Sequence, residues 1–167
     1  MLTLSEPKII ERGPYKVVGC FCNYEGNDES PGWQGADKRF FNRRDAVTNR
    51  ADDLILGFLY RPHNDHPEIP EDTKACFIGV EVTDLDCVPE GMSTTTFSGG
   101  QYAVVACIGD TESESAEGVG EAIGFLENAW VPHHGFTEGD GCFAAGNEKA
   151  PKPPFVEYVY MKIEKHT

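Results

Sequence analysis

The chain has 167 residues, with 14 Lys+Arg against 28 Asp+Glu and a net charge of −14. That length suits one ordinary domain or two small halves fused together. The charge excludes nucleic acid as a general partner, because binding it needs Lys and Arg to displace condensed counterions. An anionic membrane surface is excluded on the same ground, whereas cations are drawn in.

No apolar run reaches the length of a membrane span, and the opening Met1-Leu-Thr-Leu-Ser-Glu-Pro-Lys lacks the pattern of a secretory leader. The six cysteines, at 20, 22, 76, 87, 107 and 142, make no C-x-x-C and no zinc spacing. They read as reduced, mostly buried thiols, so a cytoplasmic and soluble protein is expected.

In chain order, Tyr15 to Phe21 reads as a strand, succeeded by an acidic loop from Glu25 to Glu29. Ser30 and Pro31 suit the N-cap and first position of a helix, in which Trp33, Ala36, Phe40 and Val47 form one apolar stripe. Arg39, Arg43 and Arg50 make a second, solvated stripe. Leu54–Tyr60 and Ala75–Val82 read as strands, joined by a Pro-rich acidic loop from His63 to Asp72.

Met92–Phe97 is a further strand, and Ser98-Gly-Gly-Gln turns into the strand at Tyr102. A second helix begins after Asp110, capped by Ser113 or Ser115, with Ala116, Val119, Ile123, Leu126 and Trp130 on its buried face. From Pro132 to Pro154 only a short strand near Cys142–Ala145 is expected. The last strand runs from Phe155 to Ile163.

Tyr15-Lys-Val-Val-Gly-Cys-Phe21 matches Tyr102-Ala-Val-Val-Ala-Cys-Ile108 at an offset of 87 residues. The segments C-terminal to the two matches agree as well: acidic loop, then helix, then strand. The chain is therefore read as α+β, a pseudo-twofold tandem repeat of strand-strand-helix-strand-strand halves. Half one covers about 6–84 and half two about 90–165 of a single domain. Two helices should cover the sheet, and a ligand groove is expected between the halves.

Glu157 shares one strand face with Phe155, Val159, Met161 and Ile163. A carboxylate written into an apolar face calls for a partner or a ligand. An aromatic wall for such a site would draw on Tyr102, Tyr60, Trp33, Phe40, Trp130, Phe136 and Phe143, with Phe77 and Tyr158 also available. Any one of these is more often a core residue than part of a groove. Glu81 reads as an ordinary sheet-end carboxylate. His63-x-x-His66 with Asp65, and His133-His134, lie on loops without a scaffold for metal geometry. No metal, haem or other cofactor is expected.

Several segments together resemble the GyrI-like, or effector-binding, domain found alone and behind the DNA-binding domains of AraC- and MerR-type regulators. They are Pro7-Lys-Ile-Ile-Glu11, Tyr15-Lys-Val-Val-Gly19, Ile78-Gly-Val-Glu-Val82, Pro89-Glu-Gly-Met92, Gly100-Gln-Tyr-Ala-Val104 and Phe155-Val-Glu-Tyr158. Their order and duplicated layout span nearly the whole chain. The resemblance implies an aromatic groove for amphipathic, often cationic small molecules, with Glu157 at the position of the family's groove glutamate.

Two further functions are implied by the same resemblance. One is hydrolysis of electrophilic, cyclopropane-containing molecules, with Glu157 as general base and Tyr102 or Tyr60 as an orienting phenol. The other is regulation through a basic protein surface, as gyrase-inhibiting relatives do. A helix-turn-helix segment is missing from the sequence, so the chain is read as a stand-alone binding module, for sequestration or sensing, before it is read as an enzyme.

Overall fold

The computed structural model describes residues 1–23, 32–147 and 152–165. The expected caps Ser30 and Pro31, and the acidic loop before them, lie outside the described residues. Nine strands and two longer helices are present among those described. Two compact units emerge: a terminal unit of Met1–Tyr15 with Phe97–Thr167, and a central unit of Lys16–Thr96.

The strands are β1 (Thr3–Leu4), β2 (Lys8–Arg12), β3 (Tyr15–Asn23), β4 (Leu54–Tyr60), β5 (Ala75–Glu81), β6 (Ser93–Phe97), β7 (Gly100–Gly109), β8 (Phe136–Asn147) and β9 (Phe155–Lys165). The helices are α1 (Gly32–Phe41) and α2 (Glu112–Phe125). In the terminal unit, β1 and β2 pair with β7, β7 with β9, and β9 with β8, all antiparallel. In the central unit the order is β4-β5-β3-β6.

The repeat is thus realised strand for strand. Val18 stands opposite Val80, and 87 residues on, Val105 stands opposite Val159. The strand that opens each half pairs away from its own sequence neighbours. β2 zips onto β7 from Lys8↔Val104 to Arg12↔Gly100, while β6 lies beside β3. Each unit therefore has one helix and a sheet built in the same order.

In each unit the helix covers one sheet face, because alternate strand residues point to opposite sides. α1 packs on β5, burying Ala36 and Phe40 with Val18, Cys20, Cys76 and Val80. α2 packs on β7 and β9, burying Ala122 and Leu126 with Val105, Cys107, Val159 and Met161. Cys20, Cys22, Cys76 and Cys107 are buried thiols outside any disulfide, packed as small apolar groups would be.

The structure corrects the sequence reading of α2 in two places. Thr111, not Ser113 or Ser115, caps it, in extended backbone at φ −128° and ψ 159°, its hydroxyl accepting from the Glu114 N–H. Ser115 is instead buried and donates to the Cys107 carbonyl at 2.8 Å. The sheet-facing line is Ser115, Gly118, Ala122 and Leu126, and Ala116 is exposed. Small residues win that line because the helix lies close: a Cβ on Gly118 would come within 3.0 Å of the Cys107 Cβ.

Past Phe125 the helix widens into a π turn, Leu126–Trp130, and ends at His133. β8 is also far longer than the short strand expected, with its register shifting between Glu138 and Cys142. The bulge absorbs Gly139-Asp140-Gly141, the glycines that read as loop in the sequence.

Candidate functional site

The face of each sheet opposite its helix is aromatic. In the central unit, strand alternation puts Val17, Gly19 and Phe21 of β3, and Phe77, Gly79 and Glu81 of β5, on that side. Phe77 stacks on Phe58 with centroids 4.8 Å apart, and Tyr60 meets Phe77 edge-on at 5.0 Å. Phe21 lies 5.3 Å from Tyr60. The pair Gly19↔Gly79 leaves the strip beyond Phe77 free of side chains, and the Phe77 ring leans into that space.

Glu81 closes this row. It is 7% exposed and stands opposite Val17 on the aromatic face. A carboxylate with little water around it attracts a cation more strongly than an exposed one does.

At the other end of the row the acidic loop is tied down locally. The Tyr60 hydroxyl donates to Asp65, and burial together with that carboxylate holds the phenol above its ordinary pKa. The His66 ring lies 5.8 Å from Phe21, and its Nε2 is 3.4 Å from the Ser93 hydroxyl. His63 Nδ1 is 2.6 Å from the Ile69 carbonyl. Among the described residues no cluster of His, Cys, Asp or Glu could hold a metal ion.

In the terminal unit Tyr15, at the start of β3, sits at the centre of the aromatic face. Its ring meets Tyr102 at 5.5 Å, Phe143 at 4.8 Å and Tyr160 at 6.1 Å, all edge-on. Phe143 stacks on Tyr160 at 4.9 Å and touches Phe97 at 4.9 Å. The Arg12 guanidinium lies over the Tyr15 ring, 3.4 Å from its centroid. Tyr102 donates to the Ser98 carbonyl at 2.6 Å, and burial pushes its phenol up to about 12.

Tyr60, Phe77, Tyr102, Phe143 and Tyr158 therefore lie on the faces opposite the helices, and Phe40, Trp33, Trp130 and Phe136 do not. Phe40 packs into the core between α1 and the sheet, on the face opposite the aromatic row. Trp33 is 41% exposed on the α1 side, its ring within van der Waals reach of a Cβ built on Gly57. Trp130 stacks with His134 and with Phe136, and both Trp130 and Phe136 pack against the core under α2; the Trp130 and His134 centroids are 4.3 Å apart.

Glu157 is on the helix-covered face with Val159, Met161 and Ile163, away from the aromatic row. Its carboxylate lies over Gly146 and, after burial, is the main cause holding the neighbouring Cys107 thiol up at about 11. In the repeat β9 follows β5 by 79 residues, since Val159 matches Val80. Glu157 thus takes the place of Ile78, a core residue, and Tyr160 takes the place of Glu81. Tyr15, Phe21, Phe58, Phe97 and Tyr160 were not singled out from sequence. The signal was strand parity: once Val18, Cys20 and Cys22 face a helix, Val17, Gly19 and Phe21 must face away.

A sequence profile for the GyrI-like small molecule binding domain matches residues 5–154. No curated protein matches significantly. Among solved structures, SAV2435 bound to tetraphenylphosphonium is similar at 16% identity and TM-score 0.66, over 96% of this chain and 94% of that one. An integron cassette protein from the mobile metagenome of Vibrio cholerae is similar at 14% identity and TM-score 0.57, covering 98% and 99%. EcmrR, solved in a complex with DNA, is similar at 13% identity and TM-score 0.62, over 96% of this chain and 57% of EcmrR. At these identities the likeness is one of fold.

Proposed function

Since the chain belongs to the family of GyrI-like small molecule binding domains, we propose that it binds amphipathic aromatic cations reversibly, for sequestration or sensing. The observation that carries this reading is the row of Phe21, Tyr60, Phe58 and Phe77 ending in the buried carboxylate of Glu81. Rings contribute roughly 0.5–2 kcal/mol each to a cation over their faces, and a poorly hydrated carboxylate adds a charge attraction that water screens only weakly. The ligand in the SAV2435 structure, tetraphenylphosphonium, has this chemistry. The net charge of −14 favours the approach of any cation.

In this reading the acid that meets the cation is Glu81 and not Glu157, whose face is occupied by α2. Tetraphenylphosphonium binding, measured by calorimetry and thermal shift, tests the assignment. Glu81→Gln should weaken binding about tenfold or more, with Glu157→Gln close to wild type. Equal loss in both variants, or none in Glu81→Gln, would sink it. Ligand recovered unchanged after prolonged incubation separates reversible binding from hydrolysis.

A further inference from the structure

β6 is the outer strand of the central unit: it pairs with β3 and, among the described residues, ends the strand order there. An outer strand leaves a row of N–H and C=O groups open to another chain, and native proteins blunt such edges with charge, proline or brevity. In the terminal unit the strands outside β7 show all three devices. β1 is two residues long, Pro7 separates it from β2, and β2 carries Lys8, Glu11 and Arg12.

β6 shows none of the three. Ser93-Thr-Thr-Thr-Phe97 holds no charge and no proline, and it runs for five residues. Thr94, Thr95 and Thr96 are β-branched, the kind of residue that favours extended pairing. Thr96 is exposed, and Ser93, Thr94 and Thr95 are half-buried. The loop between β4 and β5 meets the strand at its start, where His66 Nε2 is 3.4 Å from the Ser93 hydroxyl.

We propose that β6 is a dimerisation edge, on which the β6 of a second copy lies antiparallel about a twofold axis. Charge selects this occupant. Centred on Thr95, the pairing sets Thr94 against the second copy's Thr96, and Ser93 against its Phe97. Glu90, the nearest acid before the strand, falls opposite Gly100, so the register opposes no like charges. The same pairing fails for β2. Centred on Ile10, it would set Lys8 against Arg12, a like-charge pair that destabilises a sheet. Facing threonines add cross-strand hydroxyl hydrogen bonds to the β6 pair. The edge works through backbone groups, whereas the cation reading uses side chains of β3, β4 and β5, so either can fail alone.

Analytical ultracentrifugation of the full chain, from micromolar to millimolar concentration, is the test. The mass should rise from the 18.4 kDa of one chain towards twice that value as concentration increases. Salt should strengthen the dimer, because it screens the repulsion between two chains of net charge −14. Weakening by salt, the mark of an interface held by ion pairs, counts against a neutral edge. Thr94→Lys combined with Thr96→Lys sets two like-charge pairs across the axis and should raise the dissociation constant about tenfold or more. Ile9→Lys, on the outer strand of the terminal unit, should leave it unchanged. A chain that stays monomeric throughout, a double variant that dimerises like the wild type, or an equal loss in Ile9→Lys overturns the proposal. If the double variant fails to fold, hydrogen exchange of the wild type takes its place. Exchange at β6 that slows with rising concentration supports the edge, and exchange independent of concentration refutes it.

Discussion

Tyr15 and Tyr102, the residues that open the two copies of the repeated motif, meet each other edge to face with ring centroids 5.5 Å apart. Both are buried within the terminal unit, because Tyr15 belongs to it although the rest of β3 does not. Edge-to-face pairs of this kind contribute about 0.5–1.5 kcal/mol beyond burial. A double-mutant cycle with Tyr15→Leu and Tyr102→Leu, read by urea unfolding, should return a coupling in that range. Additive effects would mean that the contact is incidental to stability.

Phe40 and Trp33 are equal candidates for a ligand wall by sequence, and the structure separates them. Phe40→Ala should cost about 3–5 kcal/mol of stability, as a fully buried ring does. Trp33→Ala should cost much less, and neither should change tetraphenylphosphonium affinity in the folded fraction. A selective loss of affinity in Trp33→Ala, at unchanged melting temperature, would return that residue to the site.

Thr111→Ala should destabilise the protein by about 1 kcal/mol, the usual worth of an N-cap side chain. Ser113→Ala is the control and should be nearly neutral, because Ser113 is an exposed residue inside the first turn. Chemical denaturation of both variants decides between them.

Alkaline pH should destabilise the protein in a defined window. Burial, with the Glu157 and Glu121 carboxylates adding to it, holds the Cys107 thiol at about 11 against an ordinary 9.0, and burial holds the Tyr102 phenol at about 12 against 10.0. Between those values the unfolded chain releases protons that the native state keeps. Stability must therefore fall as pH rises from about 9 to about 12, and is intact below. Melting temperatures across that range should decline, and Cys107→Ala should flatten the part between about 9 and about 11.

The same burial predicts thiol reactivity. Cys87 is exposed, Cys142 is half-buried and pushed up to about 12, and the other four are buried. A disulfide reagent at about pH 8, near the ordinary thiol range, should label one thiol quickly in the native protein and all six after denaturation. Fast labelling of Cys20, Cys22 or Cys76 would show that the core beneath α1 opens readily.

Much of the architecture is local and legible in the residues. Leu54–Tyr60 is a strand with the bounds its apolar and aromatic residues suggest, and the match of Tyr15–Phe21 with Tyr102–Ile108 foretells two units of one topology. The acid is harder to place. Glu157 follows a family pattern and shares its face with Val159, Met161 and Ile163, and alternation alone says nothing about which face a helix will cover. Only the packing of α2 on β7 and β9 assigned that face to the core, and only the packing of α1 on β5 left Glu81 on the aromatic side of its own sheet.

Composition and periodicity thus determined the class of fold, the duplication and the strongly acidic character of the chain. The tertiary structure decided which strands exchange partners, which sheet face stays aromatic, and where a lysine could be enclosed. Strand pairing is non-local, so β2 finds β7 roughly ninety residues away through a register that no window of sequence contains. The enclosed Lys162 side chain likewise needs Gly100 and Gly139 from two different strands, and only the folded sheet brings them to the same side chain.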